Sequence, residues 1–323
     1  MTHPFEVSQQ ELFAFEELLK KHGLNIKSNS DLERISISII EVNEKFKGKI
    51  IHDDKQDIRM QLSEVAGLTE FIRKILKNQT SADFNQLIPH LQLLNESKSV
   101  SQTTKSKITD EGNNKLFELY VALLCMEIGD NLRLDDPKSS KGDNPDILFN
   151  LNGITWAIAC KALHTKSELT LFDRIEDGVE QINRSSANKG IVVVNFKNII
   201  DYDLIWPITN EEEFKKGEDP LFGSFTKLEI PSAILESYWV DYQKKLAEPK
   251  ELTNLRNFSA SGKCPNGFLI FLHAVTSVHH KGNTPATIMK TFNLVQFDEI
   301  DSEYKILGDQ LNLAMHNKIR KIA

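Results

Sequence analysis

Nowhere in the chain do eighteen or more apolar residues follow one another, so no segment reads as a membrane-spanning helix. The opening MTHPFEVSQQ lacks the apolar core of a secretory signal, and a cytoplasmic protein with no membrane partner is expected. Cysteine is scarce: Cys125, Cys160 and Cys264 are isolated, with no CxxC spacing. That argues against a disulfide framework or a cysteine zinc cluster and fits a reducing compartment. Basic charge is lacking too. Against 46 Asp and Glu stand 39 Lys and Arg, for a net charge of -7. A whole-surface nucleic-acid binder is basic, so any such contact here must come from a local patch or be shared with a partner. There is no GxxxxGK[ST] loop, no GxSxG elbow and no cysteine with an evident histidine partner, which removes three common enzyme classes.

What is present is an ordinary globular balance, 40% hydrophobic and 26% charged over 323 residues, enough for one large or two modest domains. Residues 1 to about 94 read as helices. Ser8-Gln9-Gln10-Glu11 and Ser30-Asp31-Leu32-Glu33 are capping-box patterns, and Gly23 is a stop. ISISII, residues 35–40, alternates like a strand, so helix or strand stays open there. Further helical patterns cover roughly 57–77 and 81–94. NESKSVSQTTKSKITDEGNN, residues 95–114, has linker composition and predicts a domain boundary near 105. The expected organisation is a helical regulatory or assembly domain, 1–105, followed by a second domain, 106–323.

The second domain begins with a helix at 115–128, a short strand at 131–135 and a strand pair at 145–161. A helix near 168–185 and a strand at 190–196 complete an α-β-β-β-α-β order. Residues 201–262 read as an insertion with a helix near 231–246. Strands at 267–275 and 291–297 extend the sheet, and a helix at 302–320 closes the chain.

The strand pair PDILFNLNGITWAIACK carries the chemistry. Asn152-Gly153 between apolar runs is a strong type I′ hairpin signal, because both central residues need positive φ. With those two as the loop, Leu151 pairs with Ile154, Phe149 with Trp156, Ile147 with Ile158, and Asp146 with Ala159. One face then carries Ile147, Phe149, Leu151, Ile154, Trp156, Ile158 and Cys160, all apolar. The other carries Asp146, Leu148, Asn150, Thr155, Ala157, Ala159 and Lys161. Two carboxylates at facing positions could share a divalent ion, and a lysine two residues along could orient water or steady developing charge. Asp146 and Lys161 are placed for this; the second acid is missing, and Ala159 stands there.

Pro145-Asp146 followed by x-x-Lys161 resembles the PD-(D/E)XK nuclease superfamily over roughly residues 109–196, with Ala159 departing from the pattern. The resemblance implies a restriction-endonuclease-like fold: an α/β (α+β) core in α-β-β-β-α-β order, its mixed sheet flanked by helices, with a helical N-terminal domain added. It implies a metal-dependent endonuclease acting on DNA, with Mg²⁺ (or Mn²⁺) held by Asp146, the acid absent at Ala159, and Glu118. Glu118 is the one charged residue between Leu116 and Met126, and the family often places a glutamate on this first helix. Several branches carry a glutamine on the second helix, which points to Gln181. Lys138, Lys141, Lys166 and Arg184 flank these elements as candidate phosphate contacts.

Because the rest of the pattern is intact, Ala159 reads as an engineered replacement of a motif glutamate that leaves the chain disabled. The alternatives are a naturally inactive nuclease-fold protein that binds nucleic acid or scaffolds a complex, and an RNA endonuclease. Family analogy alone suggests an effector in bacterial anti-phage defence with a co-encoded sensor partner, and possible homo-oligomers. His279-His280 lacks a third metal ligand and reads as a loop, Glu211-Glu212-Glu213 as a solvated helix start, and His273 as a core-edge residue.

Overall fold

The computed structural model describes residues 6–47, 57–105, 111–138, 144–218, 221–227, 229–246, 262–278, 286–297, 299 and 301–318. The N-terminal third is helical as expected: α1 Glu6–Lys21, α2 Asp31–Lys47, α3 Arg59–Asn78, a 3₁₀ turn Phe84–Leu87 and α4 Ile88–Leu93. α1 is already helical at Glu6, ahead of the helix start expected at Ser8. Gly23 does end that helix, at φ +72°. The Leu24 N–H reaches back to the Leu19 carbonyl at 2.9 Å, the six-to-one bond of a Schellman ending. Ser30 caps α2, its hydroxyl accepting from the Glu33 N–H at 3.1 Å, while Glu33 accepts from the Asn29 N–H at 2.7 Å. ISISII is therefore helix. Leu32, Ile35, Ile39 and Val42 bury one helical stripe, and that spacing outweighs the local alternation.

The sheet follows: α5 Glu111–Ile128, β1 Asp130–Leu134, β2 Ile147–Leu151, β3 Ile154–Ala162, α6 Glu168–Arg184 and β4 Lys189–Asn195. The region read as an insertion holds α7 Tyr202–Ile205, α8 Glu211–Lys215 and α9 Glu229–Leu246. β5 Gly267–Ser277, β6 Ala286–Gln296 and α10 Ser302–Met315 close the chain. The six strands lie in sequence order. β1, β2 and β3 are antiparallel, β4 runs parallel to β3 and to β5, and β6 is antiparallel to β5. The chain is thus α+β, a mixed sheet with helices on both faces.

Each face has its own apolar cluster. Phe149, Trp156, Ile158, Val193 and Phe271 pack with the N-terminal helices, α5 and α10. Ala157, Ala159, Val192, Val194 and Ile270 pack with α6 and with Leu235 of α9. A sheet buried on both faces needs apolar residues on both, which is why β4 and β5 read as continuous hydrophobic runs.

Two expectations need correction. The hairpin face read as polar is covered: Ala159 is 0% exposed beneath α6. Gly178 makes that approach possible, since a Cβ there would meet Val192 at 2.8 Å and Ala159 at 3.3 Å. Residues 97–104, read as linker, are largely buried, with Ser97, Val100, Ser101, Gln102, Thr103 and Thr104 all inside the fold. The apolar cluster runs from Leu12 to Met315 across the boundary expected near 105. Composition misleads here because the side chains of Ser101, Gln102, Thr103 and Thr104 are hydrogen-bonded inside the fold rather than solvated.

Candidate active site

The hairpin register is the one the Asn152-Gly153 turn dictates. Leu151 pairs with Ile154, Phe149 with Trp156 and Ile147 with Ile158, and the two turn residues sit at φ +54° and +78°. Asp146 stands just before β2. Its main-chain carbonyl accepts from the Asp135 N–H at 3.0 Å, continuing the pairing with β1. Its side chain accepts from the Cys160 N–H at 2.7 Å. A strand N–H points along the sheet, so this bond holds the carboxylate at the opening between β2 and β3.

α5 supplies the second acid. Glu118 is 4% exposed and Asp146 6%, and one ammonium, that of Lys115, reaches both. Glu118 is thus inside the fold and not on a solvated face of α5. Two buried acids that neighbour each other destabilise each other's charged forms. Burial, and then the neighbouring Glu118, push the Asp146 carboxyl up to about 7. Burial also raises Glu118, against the pull of Lys115. Lys115, one helical turn before Glu118, places its ammonium 2.9 Å from Glu118 and 3.6 Å from Asp146. Burial opposes that charge, but the two acids outweigh it and hold the ammonium above its ordinary range. Sequence reading missed Lys115 because it sat at the edge of the presumed linker; its spacing of three from Glu118 on a helix was the available signal.

Lys161 and Gln181 are brought together as well. The Lys161 ammonium donates to Gln181 Oε1 at 2.7 Å, bridging β3 and α6. Gln181 is buried. His90 of α4 was not anticipated. Fully buried, it has Nε2 3.7 Å from Glu118, and neither ring nitrogen has a hydrogen-bond partner. Burial, then Lys115, lowers its pKa to about 4.

The candidate phosphate contacts are dispersed. Lys138 is exposed and donates to Gln92 at 3.1 Å. Lys166 is exposed and stacks over the Tyr238 ring, 5.4 Å from its centroid. Arg184 is exposed and paired with Glu180 at 2.8 Å. Lys141 and His279-His280 lie outside the described residues. His273 is not at the core edge: it is fully buried on β5 against Tyr120 and Phe271. The three cysteines are free and buried.

As to a metal, the carboxylates of Asp146 and Glu118 offer oxygen donors of the kind a hard divalent cation takes, and His90 Nε2 lies 3.7 Å from Glu118. Two carboxylates are part of such a set, and here the Lys115 ammonium is their counter-charge. Among the described residues no group of three or more His, Cys, Asp or Glu side chains is arranged to hold a metal. Among the described residues, too, no helix is long and apolar enough to cross a membrane. Compared with known proteins, the chain matches no protein-family model, no curated protein and no solved structure.

Proposed function

We propose that the chain is a metal-dependent endonuclease of the PD-(D/E)XK type acting on DNA, in a form that lacks its second motif acid. The observation that carries this reading is the pair of buried acids, Glu118 and Asp146, that converge on the Lys115 ammonium, 2.9 Å and 3.6 Å from it, at the opening of the β2–β3 hairpin. Lys161, bonded to Gln181, lies on the strand that faces Asp146. These groups arrive from α5, β2, β3 and α6 in the α-β-β-β-α-β order that a restriction-endonuclease-like core has.

Asp146 and Glu118 would hold Mg²⁺, which when bound acidifies water and neutralises charge on a phosphodiester. The remaining chemistry belongs to the chain. Lys161 steadies the charge that develops on the phosphate, and Gln181 fixes its ammonium in place. Lys115 neutralises the acid pair. Ala159 leaves the site one ligand short, so the chain as it stands cuts slowly or not at all.

Ala159→Glu tests this. The variant should show Mg²⁺-dependent cleavage of DNA, lost again on Lys161→Ala. A folded Ala159→Glu variant that binds the ion and cuts neither DNA nor RNA sinks the proposal, and cleavage of RNA alone moves it to a ribonuclease.

A second reading, a nuclease fold that binds nucleic acid without cutting it, is favoured by one feature. Lys115 already supplies the acid pair with a cation, and Ala159 is sealed under Gly178. An alanine at 159 in the natural gene would support this reading.

A further inference from the structure

β6 is the last strand of the sheet, and part of its outer side is taken by side chains in place of a strand. Phe292 pairs with Phe271, whose carbonyl accepts from the Phe196 N–H on the side of β4. The Phe271–Phe292 pair is therefore a non-hydrogen-bonded one, and the main-chain N–H and carbonyl of Phe292 point away from β5. Asn312 of α10 meets both. Its Oδ1 accepts from the Phe292 N–H and its Nδ2 donates to the Phe292 carbonyl, each at 2.8 Å. Two residues earlier the Lys290 carbonyl points the same way and accepts from the exposed His316 ring at 3.1 Å. By the same alternation Ile288 and Leu294 turn their N–H and carbonyl groups outward, and no strand pairs with them there among the described residues.

The Asn312 carboxamide has the donor and acceptor of a peptide group, and it bonds Phe292 as a neighbouring strand would. β6 otherwise has few of the usual edge defences. It runs eleven residues, Ala286–Gln296, with no proline. Its single charge, Lys290, is turned inward onto Glu70 of α3, so the strand offers no like charge to a copy of itself. α10 packs over β6 through Leu307 and Leu311 but leaves Ile306 43% and Leu313 38% exposed, two turns apart on one face. Lys305 and Asp309, exposed beside them, carry opposite charges, so that face is neutral as well.

We propose that the β6 edge is a pairing surface for a second copy of this chain, held closed by Asn312 and His316. When those two side chains let go, β6 pairs antiparallel with β6 of the other copy. The two-fold axis lies perpendicular to the sheet and joins two six-stranded sheets into one. The same axis sets α10 against its counterpart. Ile306 then faces Leu313 of the other copy, which covers the apolar pair that a single chain leaves in water. Copies that each carry a net charge of -7 repel, so a neutral strand and a neutral helix face are where they approach. The pairing does not depend on what the acid pair does.

Sedimentation velocity of the full chain at micromolar concentration tests this. The parent should run as a monomer. Asn312→Ala frees the Phe292 main chain and should form a closed dimer, with a Kd at least about tenfold tighter than the parent's. His316→Ala frees the Lys290 carbonyl and should act in the same direction; His316 is exposed, so this variant decides if Asn312→Ala does not fold. Two further changes, each made in the variant that dimerises, should return it to monomer. Leu313→Glu sets a charge against Ile306 of the other copy. Leu294→Pro deletes one outward N–H and leaves the bonds to β5 in place. Folded Asn312→Ala and His316→Ala chains that stay monomeric overturn the proposal, and so does a parent that is already a dimer. A dimer indifferent to Leu294→Pro overturns it too, because α10 alone would then make the contact, and one indifferent to Leu313→Glu places the contact elsewhere. Open-ended aggregates in place of a dimer also refute it, since a two-fold contact closes on itself.

Discussion

The ammonium of Lys115 lies 3.6 Å from the carboxylate of Asp146, inside a site where it also touches Glu118. A cation between two buried acids decides how the site behaves. It lets both carboxyl groups stay inside the fold, and it stands where a divalent ion would otherwise be the counter-charge. Asp146 is still pushed up to about 7, so one ammonium does not fully offset burial and Glu118.

Lys115→Met should therefore be strongly destabilising near pH 8. Removing one partner from a buried charged cluster costs about 3–5 kcal/mol, because the others are left uncompensated. Urea denaturation would read the loss. It should shrink toward pH 5, where Asp146 takes up its proton. Millimolar Mg²⁺ should restore part of the stability in Lys115→Met but not in Lys115→Met/Asp146→Asn. A Lys115→Met chain as stable as the parent at pH 8 would remove Lys115 from this account.

The pH dependence has a defined sign. An acid raised to about 7 in the folded state from an ordinary 3.8 holds its proton better when folded. Its contribution is fully present below its unfolded pKa and is lost as pH climbs to about 7. His90, lowered to about 4 from 6.5, acts oppositely: stability falls as pH drops between those values, because only the unfolded chain then takes the proton. The two partly cancel in mild acid. Asp146→Asn removes one and keeps an acceptor for the Cys160 N–H. The stability of Asp146→Asn relative to the parent should rise between pH 5 and pH 8, by on the order of 2 kcal/mol. A difference that stays flat over that range would mean Asp146 is ionised throughout.

Ala159→Glu has a cost that activity assays would not register. The alanine is closed over by Gly178 and packed in the apolar cluster under α6, so a glutamate there must displace packed atoms and bury a charge. Forcing a larger side chain into a packed site costs about 1–3 kcal/mol. Thermal unfolding without divalent ion should fall accordingly, and Mg²⁺ should raise the variant's midpoint more than the parent's. Equal response to Mg²⁺ in both would mean that the added carboxylate does not face the acid pair.

Much of the sheet was legible because short-range signals agreed with long-range ones. Asn152-Gly153 set the turn, the turn set the register, and the register set which residues face α5 and which face α6. Glu118 stood out because a lone charge in an apolar helix must find a partner. The misses share a different cause. Residues 35–40 alternate locally, but Ile35 and Ile39 close a helical stripe with Leu32 and Val42 only once α3 is there to cover it. Ala157 and Ala159 read as the open side of a hairpin, since nothing local says that α6 lies on them. Lys115, Gln102 and Lys197 are polar residues whose burial depends on partners 3, 11 and 96 positions away. Composition sees such residues as solvated.

The most direct test of how the helical third relates to the rest is Lys74. Its ammonium, 1% exposed, lies 2.9 Å from Glu127 of α5 and 2.8 Å from Asn317 past the end of α10, and it donates to the Ala314 carbonyl. One side chain of α3 thus joins the first helix of the sheet region and the last helix of the chain. If the boundary near 105 separated independent units, denaturation would show two transitions, and Lys74→Ala would move only one. The packing across that boundary leads to a single transition instead, lowered by about 3–5 kcal/mol in Lys74→Ala, since Glu127 would be left buried with only Lys77 for a partner. Lys74→Met/Glu127→Leu should recover most of that loss, because an apolar pair of similar volume replaces the ions without stranding either. Two separated transitions, seen by tryptophan fluorescence and by circular dichroism, would restore the two-domain organisation that the sequence suggested.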